Sequence, residues 1–301
     1  MRTIRRSHKA MQAAVLLALF AAFSPAVGQA QYRVIENGPP HLKLPGMPTR
    51  SQIIRDIYFE KGAGTPSGGP VAFDLGDGRE AVWWYGHGFD FNDRDYITAF
   101  VYLSRGDDPD GDDHLASVAQ ATYRMGSAGW RLIDTDGHIG SFALGRISER
   151  AADVDTDGRI QTDGRKVVRH ETADGRLLLA VPARTFAYGI ERLGYEMFLF
   201  DPNRVDPVRN GLWAALGWVD AGANNAADCD EESRRACWAM TGSLSFVPRP
   251  AGVPDVKISF SGSRLEGPGH IRKLGPDDHM SYSYDADERA YVVATSTIAA
   301  N

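Results

Sequence analysis

Cysteine, long apolar runs, helical periodicity and local catalytic motifs are all scarce or missing in this chain of 301 residues. Two cysteines, Cys229 and Cys237 in DCDEESRRAC, cannot build a multi-cysteine metal site, and they form no CxxC redox motif. The one long uncharged apolar run, Met11 to Phe23 (MQAAVLLALFAAF), is too short to serve comfortably as a permanent membrane span. No stretch carries apolar residues at i, i+3, i+4 and i+7 over three turns with a proper cap, and strand patterns do not alternate with helical ones. That excludes the parallel α/β folds that bind nucleotides. GxSxG, SxxK, HExxH and GxxxxGK[ST] are absent, which removes the families whose chemistry rests on those local geometries. His41, His87, His114, His138, His170, His270 and His279 share no HxH or HxxxH spacing and so write no dense metal site.

What is present begins with a separable N-terminus. Arg2, Arg5, Arg6 and Lys9 precede the apolar run, and the small residues Gly28 and Ala30 stand before Gln31. This order is that of a secretory signal over residues 1–30, cleaved near Ala30–Gln31, and it predicts a periplasmic or secreted protein. Cleavage removes four of the 33 basic groups and none of the 39 acidic ones, leaving a net charge of about −10. An acidic chain with scattered Lys and Arg is not built to track phosphates, so no nucleic-acid partner is expected. An oxidising compartment predicts a Cys229–Cys237 disulfide closing a small loop.

Residues 31–70 are dense in proline and glycine (NGPPHLKLPGMP, KGAGTPSGGP) and read as an arm or linker, with one short element expected at Ser51 to Phe59. From residue 71 to 301 short apolar stretches are divided by turn dipeptides, the pattern of an all-β protein with very little helix. VKISF alternates Val256, Ile258 and Phe260 against Lys257, Ser259 and Ser261, as a half-buried antiparallel strand does. ITAFVYL, Ile97 to Leu103, is apolar on both faces and belongs in the middle of a sheet. Asp-Gly at 77–78, 136–137, 157–158, 163–164 and 174–175 supplies turns, and KVVRHE-TADG-RLLLAVPA is the plainest hairpin. Antiparallel sheets in a sandwich or barrel-like arrangement are expected, with a propeller-like one as the lesser alternative. DPNRVDPVRN, Asp201 to Asn210, is a candidate meeting point of two sheet units.

Three acidic stretches could carry chemistry. In ADVDTDGRIQTDGR, Asp153, Asp155 and Asp157 alternate before Gly158, with Asp163 downstream. Alternate carboxylates on a curving loop can converge on Ca2+, which takes six to eight oxygens. The stretch resembles the first half of an EF-hand loop and the DxDxDG loops of exported calcium proteins. That resemblance implies a structural ion held by Asp153, Asp155, Asp157, the backbone carbonyl of Arg159 and Asp163. It departs from the pattern at the twelfth position, where Gly164 replaces the closing carboxylate. The other reading is two successive Asp-Gly turns facing solvent. DDPDGDDH places Asp107, Asp108, Asp110, Asp112 and Asp113 in one self-repelling loop, a candidate contact surface for a basic partner. WWYGHGFDFNDRD sets aromatic residues beside Asp90 and Asp93, the materials of a glycan-cleaving site. Its ordinary alternative has Trp83 and Tyr85 facing a core, Trp84 partly exposed and HGFDFND as a polar loop.

No complete catalytic constellation emerges from these residues. The expectation is therefore an exported, non-catalytic β scaffold that binds another envelope or extracellular protein, in the manner of an inhibitor or immunity protein, with Ca2+ as its one candidate cofactor. An exported glycan hydrolase working through Asp90 and Asp93 is the alternative.

Overall fold

In the computed structural model of the chain the described residues are 46–59, 67–68, 72–75, 79–105, 115–143, 165–187, 189–203, 211–229, 235–250, 252–267 and 269–298. They form one helix, α1 (Arg50–Tyr58), and fifteen strands. β1 (Ser67–Gly68), β2 (Ala72–Asp74), β3 (Arg79–Phe91), β4 (Arg94–Arg105), β5 (Leu115–Gly126) and β6 (Gly129–Ala143) make a six-stranded antiparallel meander. The second sheet holds β7 (Val168–Glu171), β8 (Leu177–Ala187), β9 (Ile190–Phe200), β10 (Trp213–Asn224), β11 (Ala239–Val247), β12 (Asp255–Gly267), β13 (His270–Leu274), β14 (His279–Asp285) and β15 (Ala290–Ser296). Its order is β7-β8-β9-β10-β11-β12-β14-β15, with β13 also paired to β12.

The sheets pack as a sandwich through alternate residues. β3, β4 and β5 offer Phe89, Phe100 and Val118 to Leu179, Phe198 and Trp213 of β8, β9 and β10. The ring of Phe100 stacks on Phe198 with centroids 4.4 Å apart, and Trp213 meets Phe100 edge-on at 5.4 Å. Because successive side chains point oppositely, the next residues of β8 and β9, Leu178, Tyr195 and Met197, enter a second core. Val256, Ile258, Phe260, Tyr282 and Tyr291 complete that core from β12, β14 and β15. A single sheet can line it from both sides only by coiling over itself. Glycines permit the bends: a Cβ on Gly222 (φ +140°) would lie 2.2 Å from the Met240 carbonyl, and one on Gly262 (φ +100°) 2.2 Å from that of Ala239.

Helix α1 covers the far face of the first sheet. Thr49 caps it by accepting from the Gln52 N–H, and Ile53 and Ile54 are buried against Ala99, Tyr123, Phe73 and Val101. Tyr123 Oη donates to Asp56 Oδ2 at 2.7 Å, and the Arg50 guanidinium lies over the Trp83 ring. The short element expected near Ser51 is thus a helix docked on the sheet.

The predicted strand patterns are seen directly. Val256 and Ile258 are buried while Ser259 and Ser261 are exposed, and Ile97 through Tyr102 are buried between β3 and β5. Val168–Glu171 pairs with Leu177–Ala180 in the predicted hairpin, whose turn closes at Gly175 (φ +77°). Two details differ. The change of sheet lies between Ala143 and Val168, whereas β9 and β10 pair with each other across 201–210. HGFDF is strand and not loop: β3 runs to Phe91, and only Asn92 and Asp93, both at positive φ, make the turn.

Candidate functional site

Near the β3–β4 and β5–β6 turns the sandwich opens into a pocket of about 330 Å³. It is lined by Arg94, Arg124 and Arg131 together with Tyr96, Phe200, Leu132, Ile133, Pro202 and Leu212. Strand register explains the arrangement. Tyr96 opposes Arg124, and Arg124 opposes Arg131, so these three share one row of the inward face across β4, β5 and β6. Arg94 lies two residues beyond Tyr96 and so on the same face, diagonal to Arg124. Tyr96 and Phe200 pack ring against ring at 5.2 Å and form a buried base beneath the mouth. Leu132 is 39% exposed at the rim.

One row further in, a buried polar network fixes the pocket's inner wall. Asp134 Oδ2 accepts from Gln120 Nε2 (2.6 Å) and from the Leu212 N–H (2.8 Å). Thr122 Oγ1 donates to Gln120 Oε1 (2.7 Å) and accepts from Trp213 Nε1 (2.9 Å), with Thr98 Oγ1 3.1 Å away. The network bonds the first sheet to the start of β10 and so holds the two walls at one separation. The three arginines sit on this frame without an ion-pair partner among the described residues. Directly opposed like charges cost stability in a sheet; in an acidic chain, their presence at a cleft is a positive feature turned toward solvent.

The Trp83–Asp95 segment is placed differently from a sugar platform. A bulge between Trp83 and Tyr85 sends Trp83 toward α1 and brings Trp84 against Phe100 and Phe198 in the sandwich core. Trp84 is half-buried, as the ordinary alternative has it, and packs against the core. Tyr85, His87, Phe89 and Tyr96 stack in a row, with ring centroids 5.9, 5.9 and 5.2 Å apart. Burial first, and the Arg169 charge second, push the His87 imidazole down to about 4. His87 is thus neutral at pH 7, with Nδ1 3.3 Å from Tyr85 Oη. The Asp90 carboxylate is 57% exposed and lies 3.9 Å from Arg169 Nη1, and Asp93 is exposed in the turn.

Among the described residues Glu196 is the most perturbed carboxyl. It lies on β9, only 1% exposed, between Val181 of β8 and Trp218 of β10. Burial alone raises it to about 8, and Oε2 has no hydrogen-bond partner among the described residues. A carboxyl so enclosed is shut off from any substrate.

Cys229 and Cys237 form the expected disulfide, with Cα atoms 5.1 Å apart, and Asn225 braces the same loop by bonding Trp238 N and Ala236 O. Asp107, Asp108, Asp110, Asp112 and Asp113 lie outside the described residues, as do Asp153, Asp155, Asp157, Arg159, Asp163 and the leader 1–30. Among the described residues no three of His, Cys, Asp and Glu gather as metal ligands, and no helix is long and apolar enough to cross a membrane.

Sequence patterns missed the arginine mouth because each arginine is isolated in sequence, in NDRDY, TYRMG and GWRLI. The signal was there in pairing: folding YRMGSAGWR about Ser127–Ala128 sets Arg124 against Arg131. No protein-family model, curated protein or solved structure matches this chain.

Proposed function

We propose that the chain is an exported, non-catalytic binding scaffold whose grip is the arginine-lined mouth between its sheets. The observation that carries this is the union of three ion-pair-free arginines, among the described residues, with an aromatic and aliphatic floor in one cleft. Guanidinium groups bind carboxylate and phosphate oxygens through paired N–H donors, and the polar network behind the floor keeps the site preformed. Catalysis has less support: Asp90 is exposed beside Arg169, Asp93 lies in a turn, and the buried Glu196 has no access to solvent. The grip thus falls on a cluster of arginines in a chain whose net charge is negative.

Incubation with peptidoglycan and soluble glycans tests the choice. The expected result is no new reducing ends, together with an anion affinity that drops in Arg124→Gln. Glycan cleavage abolished by Asp90→Asn or Asp93→Asn would overturn it in favour of a hydrolase.

A further inference from the structure

We infer that the mouth takes a small anionic amphiphile: one carboxylate or phosphate head on Arg124 and Arg131, with a compact apolar body over Leu132, Ile133 and Pro202. This rests on the binding function proposed above and adds the ligand's chemistry. Size comes first. A volume of about 330 Å³ stands at the small end of ligand pockets. Polarity comes second. A site for inorganic anions alone would surround its cations with further donors, whereas here the accessible lining beside them is Leu132, Ile133 and Pro202. The exposed Leu132 at the rim extends the apolar surface outward on the side of Arg131. Third is geometry: Arg124 and Arg131 are direct cross-strand partners, which brings two forks onto one head group, and Arg94 adds a third charge diagonally.

The test is calorimetric titration of the mature full chain with four probes: decanoate, decanol, inorganic phosphate and a glutamate-rich peptide. Decanoate is expected to bind one to one, at least tenfold more tightly than decanol or phosphate. Arg124→Gln and Arg131→Gln should each weaken decanoate about tenfold, and Leu132→Asp should weaken it with both arginines intact. Thermal melting of each variant confirms that the fold is retained, as expected for side chains at the rim. Vesicles containing phosphatidylglycerol form a second arm, in which competition with decanoate assigns a lipid head group as source and its absence assigns a free acid. Phosphate or the peptide binding as tightly as decanoate, with the same arginine dependence, would overturn the amphiphile while leaving the binding site in place. Failure of every anion would overturn both.

Discussion

Glu196 and His87 set opposite limits on stability, because each is buried in the form that carries no charge. For Glu196 the folded value of about 8 lies above the ordinary 4.5. Its neutral form contributes fully below about pH 4.5, and the contribution is lost as pH rises toward 8, because the unfolded chain ionises first. For His87 the folded value of about 4 lies below the ordinary 6.5, so stability is lost as pH falls through that interval. From 4.5 to 6.5 the two trends oppose each other; from 6.5 to 8 Glu196 acts alone. Urea unfolding across pH should therefore show a plateau in the mildly acid range and a decline of up to about 1.4 kcal/mol per pH unit above it. Glu196→Gln is expected to flatten that decline and to exceed the parent at pH 8 by about 2–4 kcal/mol. An unchanged pH profile in the variant would remove Glu196 from the account. His87→Phe should blunt the loss between pH 6.5 and 4.

At the scale of elements, alternation made most strands legible. Val256, Ile258 and Phe260 read as one buried face and are one, and ITAFVYL reads as a central strand and lies between two neighbours. What sequence could not show is the consequence of a bulge. The extra residue at Trp84 lets Trp83 face α1 while the adjacent Trp84 and Tyr85 both pack toward the sandwich core, which strict alternation does not allow. The mouth was hidden for a related reason: its charges meet across strands, and distance across a sheet is written in register, not in sequence spacing. Helix α1 offers a direct check of how an element outside the sheets joins the core. Ile54, 0% exposed, should cost about 2–5 kcal/mol when changed to Ala, whereas exposed Gln52→Ala should stay within about 0.5 kcal/mol in denaturant unfolding. The Cys229–Cys237 bond closes a short loop between β10 and β11, already braced by Asn225. Its replacement by Ser at both positions is expected to cost about 2–3 kcal/mol and to leave far-ultraviolet circular dichroism unchanged. Loss of the β spectrum would assign the bridge a larger role.

As a whole, the molecule is an acidic chain with a basic cleft, and its two cores explain how one can be held open. The second sheet buries both faces of β8, β9 and β10, one against the first sheet and one within its own coil. Such a doubly packed wall resists collapse onto the pocket, while the Asp134–Gln120–Thr122 network ties the opposite wall to it. Binding there should weaken with salt, since it rests on exposed guanidinium groups screened over about 8 Å at physiological ionic strength. The central claim, that this mouth is the ligand site, is tested most directly by amide chemical-shift mapping of the deuterated, 15N-labelled mature chain during titration with decanoate. The account predicts saturable shifts concentrated at Arg94, Arg124, Arg131, Leu132 and the 211–213 segment, with little change in α1 or the β14–β15 hairpin. Shifts centred on α1 or on the Cys229–Cys237 loop, or no saturable shift at all, would contradict it.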